Sequence, residues 1–193
     1  MKSFNLLLKE FDLILTKYNT INYRKLKDSL PNDEVLSYLN KLKVIDSNFK
    51  SLYNWKNGND VNDIAVMRCQ IFNFGSMISL NSISFFMNTS ELYWDPFFIP
   101  LVANGDGDYL LYNNENESDH GKLHLFSPSL LFIEEPITYY DSISSLLETT
   151  IEAYKQSALI YDSKEDWLDI DIDKYYEIAK QINIKSKYWA LIK

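Results

Sequence analysis

Residues 94–112 read Trp-Asp-Pro-Phe-Phe-Ile-Pro-Leu-Val-Ala-Asn-Gly-Asp-Gly-Asp-Tyr-Leu-Leu-Tyr. The run 97–103 is apolar apart from Pro100, and the run 109–112 is wholly aromatic or aliphatic. Between them lies the turn Asn-Gly-Asp-Gly-Asp at 104–108, the kind of loop that joins two strands of a β-hairpin. The stretch therefore predicts two paired strands at the centre of a sheet.

Helical periodicity flanks this hairpin on both sides. Apolar residues at three- and four-residue steps predict a helix over 4–19 that packs on the domain, with a partner-binding amphipathic helix as the alternative. A second helix opens at Pro31, because proline suits a first helical turn. Its inward face is expected to consist of Leu36, Leu39 and Leu42. The same periodicity predicts helices over 48–56, 141–158 and 172–182. The apolar run 188–192 is expected to dock on the domain.

The remaining segments are expected to be strands and loops. N-caps are expected at Ser47, at Asn81 or Ser82, and at Asp141 or Ser142. Polar loops are expected at 59–63 and 113–121, and an edge strand at 67–74. Further short strands are expected at 122–127, 130–134 and 137–140. The sequence thus predicts an α+β fold, with a mostly antiparallel sheet of about four to six strands between N-terminal and C-terminal helices.

Three short motifs in this order resemble the SUKH superfamily, which joins Smi/Knr-type cell-wall regulators to bacterial toxin-immunity proteins. They are Leu30-Pro31 at a helix start, 52–58 at a helix end, and the hairpin 96–112. Residues 80–88 also resemble the short leucine-capped helix of this family. The resemblance covers roughly residues 30–161 and implies one SUKH-like domain. Residues 1–29 would then add an N-terminal helix, and 162–193 a helical extension. The motif residues are Pro31, Trp55, Asn57, Gly58, Pro96, Gly105, Asp106, Gly107 and Asp108.

Length and composition limit the classes that fit. A chain of 193 residues with 46% hydrophobic and 24% charged residues is typical of one globular domain. No apolar run approaches the roughly 18 residues of a membrane span, and the first residues lack a signal-peptide pattern, so we expect a cytoplasmic protein. Cys69 is the only cysteine, which excludes an internal disulfide. A net charge of −8 argues against nucleic acid as a partner.

Residues that could carry chemistry do not form a recognisable catalytic or metal-binding pattern. The turn acids Asp106 and Asp108 have the spacing of calcium ligands, but Tyr109 stands where a calcium loop needs glycine. We expect these aspartates to satisfy backbone N–H groups of the turn. His120 and His124 are the only histidines, and no third ligand stands near them in sequence. We therefore expect no metal, no cofactor and no enzymatic activity.

Two functions remain open. The SUKH resemblance implies an immunity protein that binds and neutralises a toxin, and an acidic chain suits a basic toxin. The alternative is a Smi/Knr-like regulatory scaffold with an unrelated partner. Acidic residues in polar segments are the candidate contacts, unless they are merely solvated. These residues are Asp60, Asp63, Glu115, Glu117, Asp119, Glu134 and Glu135.

Overall fold

The computed structural model describes residues 2–67, 69–88, 94–115, 118–128 and 136–192, without the side chains of 65–67. In these residues the helices are α1 (Phe4–Tyr18), α2 (Thr20–Lys25), α3 (Asn32–Leu42), α4 (Ser47–Trp55), α5 (Val61–Met67), α6 (Leu80–Met87), α7 (Ile143–Lys155), α8 (Ile172–Ile182) and α9 (Lys187–Leu191). The strands are β1 (Lys27–Asp28), β2 (Lys56–Gly58), β3 (Ser76–Met77), β4 (Phe98–Ala103), β5 (Tyr109–Asn113), β6 (Leu123–Phe126), β7 (Ile137–Tyr140), β8 (Leu159–Asp162) and β9 (Trp167–Ile170). This mixture of elements is the predicted α+β class.

The main sheet has the order β3-β4-β5-β6-β7, and every neighbouring pair is antiparallel. The predicted hairpin is confirmed, since β4 pairs with β5 from Phe98 opposite Asn113 to Ala103 opposite Tyr109. β5 is the central strand of the five in this sheet. The predictions of strands at 122–127 and 137–140 are also confirmed, as β6 and β7. The predicted strand 130–134 lies outside the described residues.

Helices cover one face of the sheet, and a small aromatic cluster covers the other. The main core runs without a break from Leu7 of α1 to Trp189 of α9. The prediction that α1 packs on the domain is confirmed, because the inner side chains of its apolar stripe are buried. The cluster on the opposite face comprises Trp94, Phe98, Leu111 and Phe126. Both faces of β4 are therefore buried, which explains its continuous apolar sequence.

Three predicted helix details are wrong by a few residues. Asp46, not Ser47, caps α4: its Oδ1 accepts the N–H of Asn48 at 2.6 Å and completes the first turn one residue earlier. Likewise Ser79, not Asn81 or Ser82, caps α6 and accepts the N–H of Ser82. On α3 the fully buried position is Val35, and Leu36 is 36% exposed instead of facing inward. At α7, Ser142 is the cap, as one of the two predicted alternatives.

The segment between β2 and α6 differs most from expectation. The predicted loop 59–63 runs into α5 at Val61, and the predicted edge strand 67–74 is absent from its described residues. The edge strand is β3 instead, and it begins just after Gly75. A Cβ at Gly75 would lie 1.9 Å from the carbonyl oxygen of Ala103, so only glycine allows this approach to β4. The N–H groups of Ile71 and Phe72 both donate to the Gly75 carbonyl, which folds 71–75 into a turn.

The C-terminal part contains a hairpin that the sequence did not predict. α7 ends at Lys155 instead of at 158, because Ser157 adopts a left-handed conformation (φ 57°) and Ala158 N–H donates to Ala153. β8 and β9 then form an antiparallel pair. The predicted helix over 172–182 is confirmed as α8, and the apolar run 188–192, which was predicted only to dock on the domain, begins within α9. Trp189 of α9 is 1% exposed and packs against Tyr139 at 4.5 Å between ring centroids.

Candidate functional site

Asp60, the first candidate contact, is tied into the fold by hydrogen bonds. Its carboxylate accepts from Lys27 Nζ at 2.5 Å, from Ser79 Oγ and from Ser82 Oγ. The hydrogen bond from Lys27 is the main reason why the pKa of Asp60 is lowered. Asp60 therefore joins β1 to the start of α6, and its charge is compensated locally. Asp63 lies in the first turn of α5, where an acidic side chain interacts favourably with the helix dipole.

A second group of candidates lies in the loop between β5 and β6. Asp119 accepts a hydrogen bond from Lys122 Nζ at 2.5 Å, which lowers the pKa of this carboxyl. The backbone N–H of Glu115 donates to Asn113 Oδ1, and its carbonyl oxygen lies 3.0 Å from His120 Nδ1. No hydrogen bond or ion pair in the described part of the chain joins this loop to Asp60 or Asp63. The candidates Glu117, Glu134 and Glu135 lie outside the described residues.

In the central turn an asparagine accepts two backbone N–H groups, the role that the sequence suggested for the aspartates. Asn104 Oδ1 accepts the N–H groups of Asp106 and Asp108 at 2.9 and 3.0 Å. Asn104 Nδ2 donates to Asp108, and Ser127 Oγ donates to the other oxygen of the same carboxylate at 2.6 Å. An asparagine at the start of the turn can reach two N–H groups at once, which leaves Asp108 to tie the turn to the end of β6. Asp106 is exposed.

The helix-end motif is structural in the same way. Trp55 Nε1 donates to Asp12 Oδ1 at 2.8 Å, which ties α4 to α1. Asn57 is buried, and its Oδ1 accepts the N–H of Leu80 at the start of α6. Gly58 has a φ of +65°. A Cβ there would meet the Met77 carbonyl oxygen at 2.4 Å.

The two motif prolines lie just before a helix and a strand. Pro31 is the N-cap residue of α3, in agreement with the prediction that it opens this helix. Pro96 is exposed in the turn that leads into β4. Neither side chain carries a hydrogen-bonding group, so both act through backbone geometry. The motifs that resemble SUKH proteins thus position backbone and secondary structure in this chain.

A cleft of about 590 Å³ lies beside the central turn. Its lining includes Asn104 and Asp106 of the turn, Asn73 and Phe74, and Trp167 and Ile170 of β9. The cleft brings the predicted turn residues next to Trp167, which the sequence analysis did not select. The signal that could have found it is the alternation Trp-Leu-Asp-Ile-Asp-Ile-Asp over 167–173, where large apolar residues alternate with acids.

Groups that could bind metal or react as nucleophiles are scattered or buried. In the described residues, no three His, Cys, Asp or Glu side chains come together as a metal site would require. Cys69 is 2% exposed, and burial raises the pKa of its thiol. His124 is also buried, and burial lowers the pKa of its imidazole. Both side chains therefore favour their neutral forms.

No protein-family model matches this chain, and no curated protein has a matching sequence. The SUKH assignment therefore stays a prediction, carried by the three motifs. None of the helices in the described ranges is long and apolar enough to cross a membrane.

Proposed function

We propose that this chain is a non-enzymatic binding protein that neutralises a basic bacterial toxin, as an immunity protein does. The observation that carries the proposal is the net charge of −8, from 27 acidic and 19 basic residues. The resemblance of 30–31, 52–58 and 96–112 to SUKH proteins supports it. Such a chain attracts a basic partner over distances of about a Debye length, roughly 8–10 Å in physiological salt.

The use of polar groups within the fold supports a binding role over a catalytic one. Asn57, Asn104 and Asp108 sit in the motifs that resemble the family, and each spends its side-chain oxygens on N–H or O–H groups of the same domain. A catalytic group needs a free lone pair or proton that faces the substrate. Acidic groups at the surface are better placed to meet a partner than to perform a reaction.

Co-expression tests the proposal directly. A candidate toxin domain, sought among the genes beside that of this chain, is expressed in a bacterial host with and without the chain, and growth is measured. The chain should restore growth and should co-purify with the toxin domain. A chain that binds the neighbouring protein without restoring growth would favour the regulatory scaffold. Failure both to bind and to restore growth would contradict the proposal.

A further inference from the structure

The β8–β9 hairpin has one face turned to solvent. In the pair, Ile160 lies opposite Asp169 and Asp162 lies opposite Trp167. Opposed residues of an antiparallel pair share a face, and residues two apart along a strand do so as well. These four side chains therefore stand together on the outward face. The inward residues Leu159 and Leu168 are only 2% and 1% exposed.

Large apolar side chains on this face are accessible to a partner. Ile160 is 53% exposed, Trp167 is 48% exposed, and Ile172 at the start of α8 is 56% exposed. Tryptophan is one of the residues that most often dominate the binding energy of protein interfaces. Ile160 and Trp167 are diagonal neighbours on the outward face and form an apolar patch that the described chain leaves uncovered, and Ile172 is exposed close by in sequence.

Acidic groups are concentrated in the same segment as the patch. Residues 159–173 contain six aspartates and glutamates and a single lysine. Ion pairs engage Asp166 with Lys25 and Asp171 with Lys174. Within the described ranges, no lysine or arginine lies at ion-pair distance from the other four carboxylates. These are Asp162, Glu165, Asp169 and Asp173.

The hairpin is held firmly enough to present this face. The Asp171 N–H donates to the Ala158 carbonyl at the base of the hairpin. At its tip, Tyr161 donates to Asp166, which also pairs with Lys25 of α2 at 3.1 Å. Binding groups on a fixed hairpin lose less conformational freedom when a partner docks than groups on a mobile loop would.

We propose that the outward face of β8–β9, together with the start of α8, is the surface that docks the basic protein partner. Trp167 and Ile160 supply the apolar contact, and the four carboxylates face lysine or arginine side chains. The adjacent cleft of about 590 Å³, which Asn104, Asp106 and Trp167 all line, has room for one such side chain. This inference rests on the proposed function, because it identifies the surface through which the toxin would be held.

The negative charge of this face favours a basic protein over other kinds of partner. Nucleic acid and anionic lipid would bring further negative charge to the same carboxylates. A second copy of the chain, docked face to face, would oppose two identical acidic rims, which is unfavourable. A partner with arginine or lysine around an apolar side chain complements both features of the face.

Peptide binding tests the surface without the toxin. The probe is a synthetic peptide in which arginine alternates with leucine, and binding is followed by fluorescence anisotropy. The hairpin variants are Trp167→Ala and Asp169→Lys. Matched controls elsewhere are Leu13→Ala on α1, where the side chain is 70% exposed, and Glu34→Lys in the first turn of α3. Each hairpin variant should weaken binding by about tenfold, and each control should leave it unchanged.

The possible outcomes distinguish a wrong docking surface from a wrong proposed function. Equal binding of the peptide by wild type and both hairpin variants would overturn the proposed docking surface. Equal affinity of the wild type for the arginine–leucine peptide and for an arginine–serine peptide would overturn it as well. Unfolding midpoints verify that the variants fold. If Trp167→Ala does not fold, the test is made with Trp167→Phe and with Asp169→Lys, whose side chain is exposed. Growth restored equally by wild type and hairpin variants would also overturn the surface while the proposed function stands. No growth restored by wild type would contradict the proposed function itself.

Discussion

Alanine in place of Gly58, and separately in place of Gly107, distinguishes backbone strain from steric collision. Both glycines have left-handed φ values, +65° and +87°, which cost a residue with a Cβ about 1–2 kcal/mol. Nothing lies within 4 Å of a Cβ at Gly107, so that strain is the whole expected cost. At Gly58 the Cβ would lie 2.4 Å from the Met77 carbonyl oxygen, so β3 must shift at a further cost of about 1–3 kcal/mol.

Urea unfolding followed by circular dichroism measures both costs, with the m value checked for constancy. Gly58→Ala should lower the free energy of unfolding more than Gly107→Ala does. Gly75→Ala is the complementary control, because its φ is not left-handed and the backbone of Ala103 and Asn104 alone opposes a Cβ. Gly105→Val should cost less than Gly107→Val, since Gly105 has no positive φ. Equal losses of unfolding free energy in Gly58→Ala and Gly107→Ala would show that the contact with Met77 adds no cost.

Three further predictions concern groups inside the fold. Asn104→Ala removes three hydrogen bonds from the central turn, so it should cost about 2–3 kcal/mol in urea unfolding; a cost near zero would show that water replaces the amide. Trp189→Ala should cost about 3–5 kcal/mol, because the ring is 1% exposed; an unchanged midpoint would show that α9 does not support the core. Burial lowers the pKa of the His124 imidazole below its ordinary 6.5. At lower pH the unfolded chain therefore binds a proton more readily than the folded chain, and the free energy of unfolding should fall as pH drops below about 6.5. His124→Leu should remove this slope and the exposed His120→Leu should not; the same slope in both variants would assign it elsewhere.

The parts of the fold that the sequence predicted well are those with strong local patterns. The apolar runs on both sides of 104–108 predicted β4 and β5, and the long apolar stripe predicted α1. The β8–β9 hairpin escaped prediction because its turn, Ser-Lys-Glu-Asp at 163–166, contains no glycine or asparagine. Asp166 itself takes the left-handed position, with a φ of +50°. A turn whose special conformation falls on an aspartate gives little sequence signal.

The candidate contacts were chosen for their place in polar segments, and this criterion could not detect ion pairs. Asp60 meets Lys27, which is 33 residues away in sequence, so its compensation follows from tertiary structure alone. Asp119 pairs with Lys122 within its own loop, where spacing gave a partial hint. The four carboxylates in the segment of Trp167 differ from Asp60 and Asp119, because they have no ion-pair partner among the described residues and lie near exposed apolar side chains in the sequence. That coincidence depends on which face of a two-stranded hairpin is buried, and periodicity alone does not determine it.

The decisive measurement of the proposed function is the rate at which the chain associates with a candidate basic toxin domain, followed by stopped-flow fluorescence across a range of salt concentrations. Electrostatic steering predicts that the rate constant falls steeply as ionic strength rises through physiological values. Reversing Asp162, Asp169 and Asp173 to lysine together should slow association. Reversing Glu115, Glu117 and Asp119 tests the β5–β6 loop as the rival surface and should have a smaller effect. A rate constant indifferent to salt and to both sets of reversals would contradict the claim that acidic charge guides this protein to a basic partner.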